Sequence, residues 1–165
     1  MEPTRLSPYL EQVAAALAPD TDTLVAMAQG RRGFAAAGLV SALLDEEAVP
    51  ARDAFAIGDR FCRTALAALD PLLDTDLIRE HGEGTRKRDL DVLIPVAQTE
   101  RALASPEDVD RIADSMITLA AALEELFTRL GESTDADTDQ GRAVGVCRAA
   151  ATELWSAYGG DGGGW

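Results

Sequence analysis

Ser105–Gly131 reads SPEDVDRIADSMITLAAALEELFTRLG, and the spacing of its apolar residues decides the fold class. Val109, Ile112, Met116, Leu119, Leu123, Leu126 and Leu130 recur at alternating steps of three and four, with Ala113, Ala120 and Phe127 beside them. That period places all of them along one side of an α-helix, the a, d and e face of a heptad. The ends are punctuated as well. Ser105 suits the N-cap, Pro106 the first helical position, and Glu107, Asp108 and Asp110 the positive end of the helix dipole. Arg129 favours the last turn, and Gly131 is expected to end the helix as a left-handed cap. Roughly 25 residues at about 1.5 Å each make a rod on the order of 37 Å long, which must bury its apolar side against other helices.

The rest of the chain carries the same signal. The next helix is expected over 138–158 after the polar connection GESTDADTDQG, with Val144, Cys147, Ala151, Leu154 and Tyr158 on its seam and Trp155 beside it. Towards the N-terminus, Ser7-Pro8 should open a helix that Pro19 stops. The run from Leu24 to Glu47 is helical but interrupted by glycines. Gly30-Arg31-Arg32-Gly33 is expected to break it into helices over 22–30 and 33–47. The side chains of Ala35, Ala36, Ala37 and Gly38 are small enough for two helices to approach closely. A helix with Phe55, Gly58, Phe61, Cys62, Ala65 and Leu69 follows, ended or kinked at Asp70-Pro71. After a short helix, His81-Gly82-Glu83-Gly84 reads as a loop, and a further helix bent at Pro95 carries Leu90, Leu93, Ile94 and Leu103. Val92–Val96 has no partner strand and makes a poor sheet. The expected fold is therefore an all-α bundle of about five to seven mostly antiparallel helices over 1–158, with a Gly-rich tail over 159–165.

Composition narrows the function classes. The chain has 165 residues, with 15 Lys+Arg against 29 Asp+Glu, a formal charge of −14 and only 5% aromatic residues. Nucleic acid and anionic membrane surfaces both require a basic face, which would stand against this net field. No apolar run approaches the roughly 18 residues that span a bilayer, and MEPTRLSPYLEQ lacks the pattern of a signal peptide. Cys62 and Cys147 sit inside helical patterns and read as reduced core thiols, which points to a cytoplasmic protein.

No motif fixes a chemistry. Asp135, Asp137 and Asp139 resemble the opening of a calcium loop, but Gln140 and Val146 stand where that loop needs Gly and a bidentate Glu. His81 is the only histidine, which excludes the Glu-x-x-His pairs of a di-iron bundle and the usual zinc sets. No metal and no cofactor is expected. The most concentrated positive stretch runs from Arg79 to Arg88. Its Arg86, Lys87 and Arg88, with His81 and with Arg31 and Arg32 from the earlier glycine turn, would form an anion pocket if the chain folded back to bring them together. His81 is the one weak candidate for acid–base catalysis. Trp165 ends the chain after five glycines in six residues, in the manner of a displayed peptide.

Three functions follow, in order. The first is a non-catalytic interaction or regulatory protein that presents helical surface, and its tail, to a protein partner or a second copy, with Tyr158 and Trp165 as contact residues. The second is a helical enzyme or binding protein that takes an anionic small molecule between helices, near 33–38 and Pro95. The third is a carrier whose terminal Trp165 is modified.

Overall fold

The computed structural model describes residues 6–17, 22–46, 53–84 and 106–161, and they are helical with no strand among them. In chain order, α1 spans Leu6–Ala15, α2 Thr23–Glu46 and α3 Asp53–Leu69. A 3-10 turn (Asp70–Leu72) and α4 (Thr75–Leu77) lead into a π turn, Ile78–Gly82; then come α5, Pro106–Ser133, and α6, Asp139–Ala157.

The seam read in α5 is buried from Ile112 to Leu130. It faces two neighbours. On one side lies α2, where Phe34 packs on Phe127 with ring centroids 5.8 Å apart. On the other lies α6, which buries Ala143, Val144, Cys147, Ala150, Ala151 and Leu154. α3 closes the ring by packing on both α2 and α6. Successive contacts run in opposite chain directions: Gly38 meets Cys62 while Ser41 meets Gly58, and Gly30 meets Phe127 while Gly33 meets Leu123. Hence α2, α3, α6 and α5 form a closed antiparallel cycle around one apolar core. α1 lies outside that cycle on α5 and α2, its Leu6, Leu10 and Val13 turned inward.

Three local expectations are corrected. α2 does not break at Gly30–Gly33 but runs unbroken for 24 residues. A methyl group at Gly33 would stand 2.7 Å from Leu123, and one at Gly30 would run into the Phe127 ring. These glycines let α5 approach, and the packing gained there outweighs their poor helix propensity of about 1 kcal/mol each. α5 likewise does not end at Gly131 but continues to Ser133, where the Ser133 hydroxyl donates to the Leu130 carbonyl (3.2 Å) and Thr134 bonds the same carbonyl. α1 begins at Leu6, and Ser7 is not its cap. The Ser7 hydroxyl is buried against that of Ser115, which also reaches the Glu11 carboxylate at 3.3 Å.

Candidate functional site

Three places hold the residues from which chemistry or recognition could come. The first is the junction of α2 with the turns after α3. Arg31 and Arg32 leave adjacent positions of α2 and meet the 79–84 segment, so the fold-back required of an anion pocket does occur in its described part. The charges there are already engaged. Arg31 Nε donates to Asp70 Oδ1 at 2.5 Å and a terminal nitrogen donates to the Gly82 carbonyl at 2.8 Å, with only 19% of the side chain exposed. Arg32 Nε donates to the Glu83 carbonyl at 3.3 Å. Gly82 is seated against the Ala28 carbonyl, where a Cβ would come within 2.9 Å, so the arginines and this glycine together hold the crossover onto α2. His81 lies in the π turn, not in an open loop, about a third exposed, with Nε2 3.7 Å from a Glu80 carboxylate oxygen. Arg79 is turned away toward Asp76 at 3.6 Å. Arg86, Lys87, Arg88 and Pro95, the remainder of the expected pocket, lie outside the described residues.

The inter-helix space expected beside 33–38 is filled. Gly33, Phe34, Ala36, Ala37 and Gly38 are all buried, with Leu123 and the Cys62 Cβ against them.

The second place is the interior between α2, α3 and α6, which contains the titratable groups of greatest intrinsic reactivity. Cys62 is fully buried; burial, with Asp59 nearby, pushes its thiol well above the ordinary range. Burial pushes Cys147 up to about 12, and its Sγ–H points at the Ala65 carbonyl 3.8 Å away. Tyr158 is raised too, chiefly by burial, although its hydroxyl shares a 2.7 Å hydrogen bond with Ser41 that works the other way. Thiols held neutral in this way are poor nucleophiles. Tyr158 is a correction: it is 1% exposed and stacks on Phe55 at 6.2 Å, so it anchors the end of α6 inside the bundle instead of offering a ring to a partner. Behind it Gly159 adopts φ 93° and the Gly160 amide donates to the Trp155 carbonyl at 2.9 Å, a glycine-type helix stop. Trp165 lies outside the described residues.

The acids of the 131–141 connection serve the turn. The Asp137 amide donates to the Asp135 carboxylate (3.0 Å), Thr138 caps α6 through the Gly141 amide (3.0 Å), and Arg142 pairs with Asp139 while donating to the Asp137 carbonyl (2.8 Å). Among the described residues no three His, Cys, Asp or Glu side chains are grouped so as to hold a metal ion.

The third place was not read from the sequence. Opposite its buried seam, α6 turns Gly145, Val146, Arg148, Ala149, Thr152 and Glu153 to solvent, with Arg142 also exposed but paired to Asp139. Val146, at 38%, is the one large hydrophobic side chain that is exposed among the described residues. Its signal in the sequence was a β-branched apolar residue standing at a position the three-four seam leaves outside.

No family model matches the sequence, and no match was found among curated proteins or solved structures.

Proposed function

We propose that the chain is a non-catalytic interaction protein that offers helical surface to a protein partner, and that α6 supplies the contact. The observation that carries this reading is the outward face of α6, with Val146 exposed among small side chains. Two others support it. The small-residue stretch of α2 is consumed by packing against Leu123 and Cys62, and the thiols of Cys62 and Cys147 are buried in forms that neither attack nor bind metal readily. No helix among the described residues is long and apolar enough to cross a membrane. Free thiols at both cysteines are compatible with a reducing, cytoplasmic setting.

A second reading, an anionic small molecule held at the α2 junction, is favoured by Arg31 and Arg32 both meeting the segment that follows His81. One experiment separates the two: a native mass spectrum of the chain purified from its own host. A bound polypeptide, either a second copy or another protein, is the expected result. A small anionic adduct that disappears in Arg32→Ala, with no polypeptide bound, would replace the first reading with the second.

A further inference from the structure

We propose that α1 is an exchangeable strap, and that its seat on α5 and α2 takes α1 of a second copy as well as its own. The proposal goes beyond the α6 contact above and does not depend on it. Three observations carry it. First, α1 lies outside the closed cycle of α2, α3, α5 and α6, packing chiefly on α5 and less on α2. Its covalent tether to that cycle is the seven-residue connection 16–22, which includes Pro19. Second, α1 has only ten residues, below the roughly 12–15 at which a helix becomes even marginally stable by itself in water. Its helix is therefore kept by the seat, where Leu6, Leu10 and Val13 are buried, and it is the element with least to lose by opening.

Third, the seat is keyed to this helix. The buried hydroxyls of Ser7 and Ser115 meet each other between α1 and α5. The Arg111 carbonyl stands 3.5 Å from Ser7 Oγ, and the Glu11 carboxylate 3.3 Å from Ser115 Oγ. Among the described residues no buried side-chain polar atom is left without a partner. A foreign amphipathic helix would strand the Ser115 hydroxyl in an otherwise apolar contact unless it placed a hydroxyl and a carboxylate four residues apart, as Ser7 and Glu11 stand. Every copy of the chain carries that pair. The seat therefore selects α1 of a second copy over other apolar helices. The closed and exchanged forms make the same contacts, so the tether decides between them. A short flexible tether holds α1 at an effective concentration on the order of millimolar, and exchange emerges as the chain approaches that concentration.

The test uses full-length Ser7→Cys and Ser115→Cys chains, each checked for helicity and melting. Two touching hydroxyl oxygens put the Cβ atoms near the roughly 3.5–4.5 Å that a disulfide needs, and the native thiols of Cys62 and Cys147 are buried. The two single variants are mixed, incubated, diluted, oxidised and mapped by mass spectrometry. A disulfide joining position 7 of one chain to position 115 of the other is expected. Its yield should be roughly tenfold higher after incubation near 1 mM than near 0.1 mM. The double variant Ser7→Cys/Ser115→Cys, oxidised at low-micromolar concentration, should close within one chain and then no longer exchange. A double variant that closes internally while the mixed single variants never link would show that α1 stays on its own chain, and overturns the proposal. So does a double variant that fails to close, or a cross-link that maps to Cys62 or Cys147. Hydrogen exchange of the unaltered chain gives a test free of substitutions. Amides of α1 should exchange sooner than those of α2, α3, α5 and α6, and protection of α1 equal to that of α5 overturns the strap.

Discussion

At the scale of single residues, the consequential groups are those whose ionisation the fold suppresses. Cys62, Cys147 and Tyr158 are neutral in the folded chain because an anion in the α2–α3–α6 interior would lose its hydration without gaining a cation. In the unfolded chain the thiols ionise near their ordinary value of 9.0. Below that pH both states hold the proton and the stability does not depend on it. Above it the unfolded state releases protons that the folded state retains, so stability falls with rising pH until the folded value, about 12 for Cys147, is reached. Each thiol contributes a loss of about 1.4 kcal/mol per pH unit in that window. Urea midpoints at pH 7.5 and pH 10 should therefore differ by up to roughly 3 kcal/mol in stability, and Cys147→Ala should remove about half of the difference. Equal midpoints at the two pH values would mean that the thiols are accessible to hydroxide and that the interior is looser than described.

At the scale of elements, two glycines in helices make opposite predictions. Gly30 faces the Phe127 ring with no room for a methyl group, whereas a methyl group at Gly145 would meet none of the described residues within 4 Å. Gly30→Ala should destabilise by roughly 1–3 kcal/mol through overpacking, despite the better helix propensity of alanine. Gly145→Ala should stabilise by about 0.5–1 kcal/mol from propensity alone. Thermal melts of the pair check both signs. The same contrast explains what could be read from the sequence. The seams of α5 and α6 were legible because a heptad stripe is a property of one segment. The continuity of α2 was not, because Gly30 and Gly33 look like breakers until Phe127 and Leu123, some ninety residues later, are seen to need their space. Arg31 and Arg32 were legible as a basic pair, but not as ligands of Asp70, Gly82 and Glu83, since those contacts depend on where the crossover is seated. Tyr158 fell on the seam of α6 by spacing and is buried as that spacing implies. Reading it instead as a partner contact gave too much weight to its nearness to the tail. Val146 was legible only as the complement of the seam, a residue out of place on a face that otherwise needs none.

At the scale of the whole molecule, net charge sets how association responds to salt, and the sign discriminates between partners. Two copies carrying −14 each repel over distances of a Debye length, about 10 Å at 0.1 M ionic strength and about 30 Å at 0.01 M. Added salt screens that repulsion. An apolar contact between helices, by contrast, does not weaken with salt. Self-association of the chain through such a contact should therefore tighten as salt rises from about 0.01 to 0.5 M, the range over which screening shortens most. A basic partner attracted by the acidic surface would give the opposite slope, since its encounter depends on the long-range field that salt removes. Sedimentation at three salt concentrations measures the slope directly. An association that weakens steeply with salt would assign the acidic surface to a cationic partner and leave α6 as an ordinary solvated helix.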